Sequence, residues 1–225
     1  MSTTEFFDAI RAGDAGKVRA LLDVDPEIAS ARDPNGVSAV LTSIYTGRGE
    51  IRDLLLQRGA VLEIHDAAAA GKLNEVKEFV EKNPALAKSY SPDGFPVVAL
   101  ACFFGHLDVA RYLAAQGADL NAAASNGSGY NSLTASVAAG HTQIVAWLLE
   151  NGVSANYRYG PGYTPLLTAV ANGRLDIAKL LLAHGADPTA RTDDGRSAAD
   201  LAAERKHPEL VAYFNRERSP SGLSS

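Results

Sequence analysis

Gly162-Tyr163-Thr164-Pro165-Leu166-Leu167-Thr168-Ala169-Val170-Ala171-Asn172-Gly173, continuing to Gly185-Ala186-Asp187, reads as two short helices joined by a turn. Gly162 ends a tight turn where glycine alone accepts positive φ cheaply. Thr164 offers a hydroxyl to cap the next helix, and Pro165 suits the first helical position, where no N–H is needed. Leu166, Ala169 and Val170 fall at i, i+3 and i+4, one apolar stripe. Gly173 stops this helix, and Ile177, Leu180 and Leu181 form a second stripe closed at Gly185. Helices this short are marginal alone. Each is apolar on one face, so the unit needs copies of itself.

The copies are present. Glycines recur at positions 129, 162 and 195, a step of 33. The pattern Gly-x-Thr-Pro-Leu-x-x-Ala, then Gly, then a Leu-Leu run ending in Gly-Ala-Asp, resembles the ankyrin repeat in motif and period. The resemblance runs from about Glu5 to about Phe214. It implies an all-α solenoid of stacked helix–turn–helix units with hairpin-like fingers.

Seven units follow, at about 5–35, 36–62, 63–93, 94–128, 129–161, 162–194 and 195–217, in one domain spanning 1–218. Residues 219–225 are expected to be a flexible tail. The first unit carries Phe6, Ala9 and Ile10, then Val18, Leu21 and Leu22, and lacks the Thr-Pro-Leu start, as suits an end unit facing water. A long loop, 23–36, leads into the second unit. The third begins at Glu63 almost as soon as the second closes at Gly59-Ala60, leaving no room for a finger. Residues 63–120 resemble residues 5–62 at a constant shift: Asp8 pairs with Asp66, Pro26 with Pro84, Gly36 with Gly94, and Leu62 with Leu120. A two-unit block was therefore duplicated, fingerless first unit and long loop included. The missing finger predicts a strip of lost contact between units two and three.

Composition narrows the function. Hydrophobic residues make up 46% of 225, enough for a core, and the net charge of -5 is mixed along the chain. Nucleic-acid binding leans on clustered Lys and Arg, so it is not expected. No apolar run reaches the roughly 18 residues of a membrane helix, and the N-terminus lacks the pattern of a signal peptide. The single cysteine, Cys102, is expected to be a buried small hydrophobe. A reducing, cytoplasmic setting follows as an expectation.

A search for chemistry gives little. Of the five histidines, no two stand at i, i+3 or i+4, and no cysteine cluster supports them, so no metal site is expected. In the family, the position of His65 holds a histidine that bonds nearby backbone. No Gly-x-Ser-x-Gly elbow is present. Gly127-Ser-Gly129 and Gly160-Pro-Gly162 read as turns rather than phosphate loops. Neither catalysis nor a cofactor is expected.

What remains is the surface. In ankyrin proteins the finger tips and first helices line a concave face that binds partners. The variable positions lie around the turn glycine and just before the inter-helix glycine. In this chain they hold Tyr45, Phe95, Phe103, Phe104, Tyr130, Tyr159 and Tyr163, with Tyr157 and Arg158 on the finger of Tyr159. Aromatics are only 7% of the chain, so their density here is informative. Tyr and Arg often anchor interfaces. Trp147, Phe79 and Tyr112 lie in second-helix stripes and are expected in the core. The resemblance implies a non-catalytic, monomeric protein-interaction module of adaptor or inhibitor type. The alternative is a small-ligand binder or enzyme with a pocket between the 122–128 loop and the fingers.

Overall fold

A computed structural model of the chain describes residues 2–217. The 219–225 segment, expected to be a tail, lies outside the described residues. These contain fourteen α-helices in seven antiparallel pairs, with isolated two-residue bridges in place of strands. The chain divides into two compact blocks, one ending at Asp119 and one beginning at Leu120.

The first block holds α1 (Thr3–Ala12), α2 (Ala15–Val24), α3 (Ala39–Tyr45), α4 (Gly49–Gln57), α5 (Ile64–Ala69), α6 (Leu73–Lys82), α7 (Val97–Phe103) and α8 (Leu107–Ala115). The second holds α9 (Ser132–Ala139), α10 (Thr142–Glu150), α11 (Pro165–Ala171), α12 (Leu175–Ala183), α13 (Ala198–Glu204) and α14 (Pro208–Glu217). The caps are those the sequence offers. Ser38 Oγ accepts from Leu41 N at 2.9 Å, Asn131 Oδ1 from Thr134 N at 3.0 Å, and Thr164 Oγ1 from Leu167 N at 3.3 Å.

Every pair turns the same way. The N–H that opens the second helix donates to a carbonyl five residues back, from Asp14 to Ala9 through His207 to Ala202, at 2.7–3.0 Å. This six-to-one bond needs a left-handed residue just before it. Glycine supplies it in six pairs, and Lys206, with φ 61°, supplies it in the last.

The duplication is visible in the first block. The 3₁₀ turns Pro26–Ser30 and Pro84–Lys88, the bridges Arg32↔Ser38 and Tyr90↔Pro96, and the helices α2/α6, α3/α7 and α4/α8 all repeat at the same offset. The expected long loops thus contain 3₁₀ turns. α5 is shorter than α1 because the Glu63 N–H bonds Asp66 Oδ2 at 2.7 Å, fixing a later start.

No finger separates the second and third pairs, yet the predicted strip of lost contact is filled. Arg32 reaches Glu63 at 2.5 Å, Ser30 Oγ accepts from Val61 N at 3.0 Å, and Arg58 meets Asp23 at 2.7 Å. The fingers on either side also approach closely: a Cβ added to Gly36 would lie 3.2 Å from Pro92 Cβ, and the φ of 82° at this position favours glycine.

Two apolar clusters pack this block. Phe6, Phe7, Ile10, Leu22, Val40, Ile51 and Leu55 fill one. Val37, Leu41, Ala69 and Leu100 form the other, with Phe95 and Phe104 against it. In the second block Leu133, Leu148, Leu166, Leu181 and Leu201 are buried. Cys102, the single cysteine, is fully buried, as expected. Trp147, Phe79 and Tyr112, expected in the core, are only half-buried, as is Leu180. They flank the buried stripe of each second helix and keep one side in water; Lys77 Nζ lies 5.9 Å from the Tyr112 ring centroid.

Candidate partner-binding surface

Each first helix ends in two residues that precede the inter-helix turn. Their backbone is fixed by the turn, so their side chains can vary without disturbing the core. Tyr45, the last residue of α3, is one such residue, and Phe103, the last of α7, and Phe104 just after it are the pair in the fourth unit.

In the first block these rings form one group. Tyr45 and Phe104 stack with centroids 6.0 Å apart, and Phe103 meets Phe104 edge-on at 5.0 Å. Phe103 is 41% exposed and Tyr45 37%. Phe104 is half-buried and, like Phe95, leans on the Val37–Leu100 cluster. Phe95 therefore serves packing more than display. Tyr45 donates to Asp93 Oδ1 at 3.3 Å, and burial, followed by the Asp93 charge, pushes its phenol well above the usual range.

In the second block Tyr130, Tyr157 and Tyr159 cluster. Tyr130 and Tyr159 lie 5.2 Å apart, and Tyr157 stacks on Tyr159 at 6.3 Å. Tyr159 and Tyr163 face each other across the finger through paired backbone bonds of 3.0 Å. The Tyr159 hydroxyl bonds Thr168 Oγ1, and burial raises its pKa to about 12. Arg158 is exposed but engaged: it bonds Asp193 Oδ1 at 2.9 Å and the Arg191 carbonyl at 3.1 Å, tying two fingers together. The nine candidate residues thus fall into two sets, one in each block.

Sequence reasoning missed a row of latches. The side chain at the start of a second helix reaches back to a carbonyl of the preceding pair: Arg48 to Arg11 O at 3.1 Å, His106 to Ala69 O at 3.1 Å, Arg174 to Gly140 O at 2.8 Å and His207 to Ala171 O at 3.1 Å. The signal was the position itself, one residue after the inter-helix turn. Arg174 also holds Asp176, whose carboxyl falls to about 2 chiefly through that bond.

A polar knot lies beside the missing finger. Asp66 is buried and accepts from the Ser38 hydroxyl. His65 is also buried, and its Nε2 lies 3.1 Å from Ser89 Oγ, whose proton goes to Leu86 O at 2.7 Å. Nε2 therefore carries the imidazole proton, and Nδ1 has no partner. The expected backbone bond is replaced by one to a hydroxyl. Burial, the main cause, lowers the His65 pKa and raises that of Asp66. Among the described residues no group of three His, Cys, Asp or Glu is placed to hold a metal ion, and no helix is long and apolar enough to cross a membrane.

Two family models match the chain: ankyrin repeats in three copies over residues 64–159, and ankyrin repeats in many copies over residues 148–202. Together they cover more than half of it, from α5 into α13. The chain belongs to the ankyrin-repeat family. Ankyrin repeats are generally protein–protein interaction modules. No curated protein matches this ankyrin-repeat chain.

Proposed function

We propose that this ankyrin-repeat protein binds a partner protein through the face formed by its first-helix ends and fingers, and that it does so as an adaptor or inhibitor without catalysis. The observation that carries this reading is the exposure of Phe103 and Tyr45 at the ends of α7 and α3. Large apolar rings in water cost free energy unless a partner covers them. The tyrosines of the second block add amphipathic rings of the kind that anchor interfaces. The protein acts as a monomer in a reducing, cytoplasmic setting, in keeping with a chain that has a single cysteine.

Affinity capture from native cell extract tests the reading. The unchanged chain retains a specific protein. A variant with Tyr45 and Phe103 changed to alanine, and another with Tyr130 and Tyr163 changed, keep their helical CD signal; at least one of them loses the captured protein. Retention by both, unchanged, contradicts the reading.

A further inference from the structure

We infer that a hollow lined by Phe104 and Arg48 seats one carboxylate side chain, Asp or Glu, from a partner protein, with a neighbouring apolar residue of that partner on the Tyr45 and Phe103 rings. This rests on the partner-recognition reading and narrows it to acidic segments.

The hollow is about 280 Å³. That is below the roughly 300 Å³ where small-molecule pockets begin, so it suits a side chain better than a whole ligand. Ile44, Ala69 and Phe104 supply apolar wall, and Arg48, Arg52 and His106 supply polar wall.

Charge decides the occupant. Arg52 is neutralised by Asp53 at 2.8 Å. Glu50, in the first turn of α4, is exposed. Arg48 has no carboxylate partner among the described residues. Its guanidinium is nevertheless held in place. One nitrogen donates to Arg11 O at 3.1 Å, and the group lies over Gly13, where an added Cβ would come within 2.8 Å of Cζ. A fixed guanidinium loses little freedom on binding, and its planar fork matches a carboxylate. One unneutralised charge balances a carboxylate. A phosphate, at about −1.5 to −2, would keep charge to spare in a partly apolar hollow.

The test uses the full chain and arrayed synthetic peptides with a central leucine. One series flanks the leucine with glutamate, a second with glutamine, a third with lysine and a fourth with phosphoserine. The glutamate series binds at least about tenfold tighter than the glutamine series. Arg48→Gln, which keeps a donor for Arg11 O, removes that preference, while Lys77→Gln on the outer side does not. Tyr45→Ala with Phe103→Ala weakens all series.

Equal binding of glutamate and glutamine peptides, stronger binding of the lysine or phosphoserine series, or a preference that survives Arg48→Gln overturns the inference. Should Arg48→Gln unfold, added salt decides: it must weaken the glutamate series and leave the glutamine series unmoved. If no series binds while extract capture still depends on Tyr45 and Phe103, the acidic-segment inference falls and the partner-recognition reading stands.

Discussion

The Tyr45 ring lies stacked on the Phe104 ring, 6.0 Å away and 18° from parallel, although the whole α5–α6 pair separates them along the chain. The contact exists because the third pair is small where they meet. Ala69 ends its first helix and Ala70 follows at the turn, and no finger precedes it. The second and fourth pairs therefore touch over the third. A double-mutant cycle with Tyr45→Ala and Phe104→Ala should give a coupling of about 0.5–1.5 kcal/mol in chemical denaturation. Strict additivity would mean that the rings do not support each other.

Core and finger residues should separate in stability. Leu166 and Leu181 are at most 1% exposed. Replacing either by alanine should cost about 2–5 kcal/mol, the usual range for a packed leucine site. Tyr157→Ala, at a half-buried finger ring, should cost about 1 kcal/mol. Comparable losses for all three would place the finger in the core.

Lys206 holds the left-handed position that glycine holds in the other six pairs. A non-glycine residue there carries about 1–2 kcal/mol of strain. Part is offset in the unfolded chain, where glycine is the freer residue. Lys206→Gly should therefore stabilise the protein by about 1 kcal/mol, read as a higher denaturation midpoint. A loss of stability would show that the lysine side chain contributes more than its backbone strain removes.

His65 gives a pH dependence with a defined sign. Its folded pKa lies below the ordinary value of about 6.5, so the unfolded chain binds the proton more readily. Its contribution is complete above pH ~6.5 and is lost as the pH falls through that value toward the folded pKa. Asp66 runs the other way: its raised pKa gives a contribution present below about 3.8 and lost as pH rises through the folded value. Thermal melts between pH 7.5 and 5.5, about a unit either side of His65's ordinary value, should thus fall with acid. His65→Gln, which retains a donor for Ser89, should flatten the fall. An unchanged slope would remove His65 as its source.

Much of this was legible because it is local. The caps at Ser38, Asn131 and Thr164, the turn glycines and the apolar stripes are decided by a few neighbouring residues, and the sequence names them. The duplication was legible because both copies keep their turn residues. The Tyr45–Phe104 stack was not, since it depends on a finger that is missing and on the size of the alanines between. His207 escaped as a latch because Lys206 hides the glycine that marks the turn. Trp147 and Leu180 were placed too deep because a stripe gives direction, not how far the next helix covers it. Arg158 read as a free anchor because its partners, Asp193 and the Arg191 carbonyl, lie a repeat away.

The central claim is that a partner meets the first-helix ends. Site-specific photocrosslinking measures this directly. A photoreactive phenylalanine analogue is placed at Phe103, at Tyr163, or at Tyr112 and Lys179 on second helices, and each chain is irradiated in native extract. The account predicts a discrete crosslinked protein from position 103 or 163 and none from 112 or 179. Crosslinking from the second-helix positions alone would contradict it.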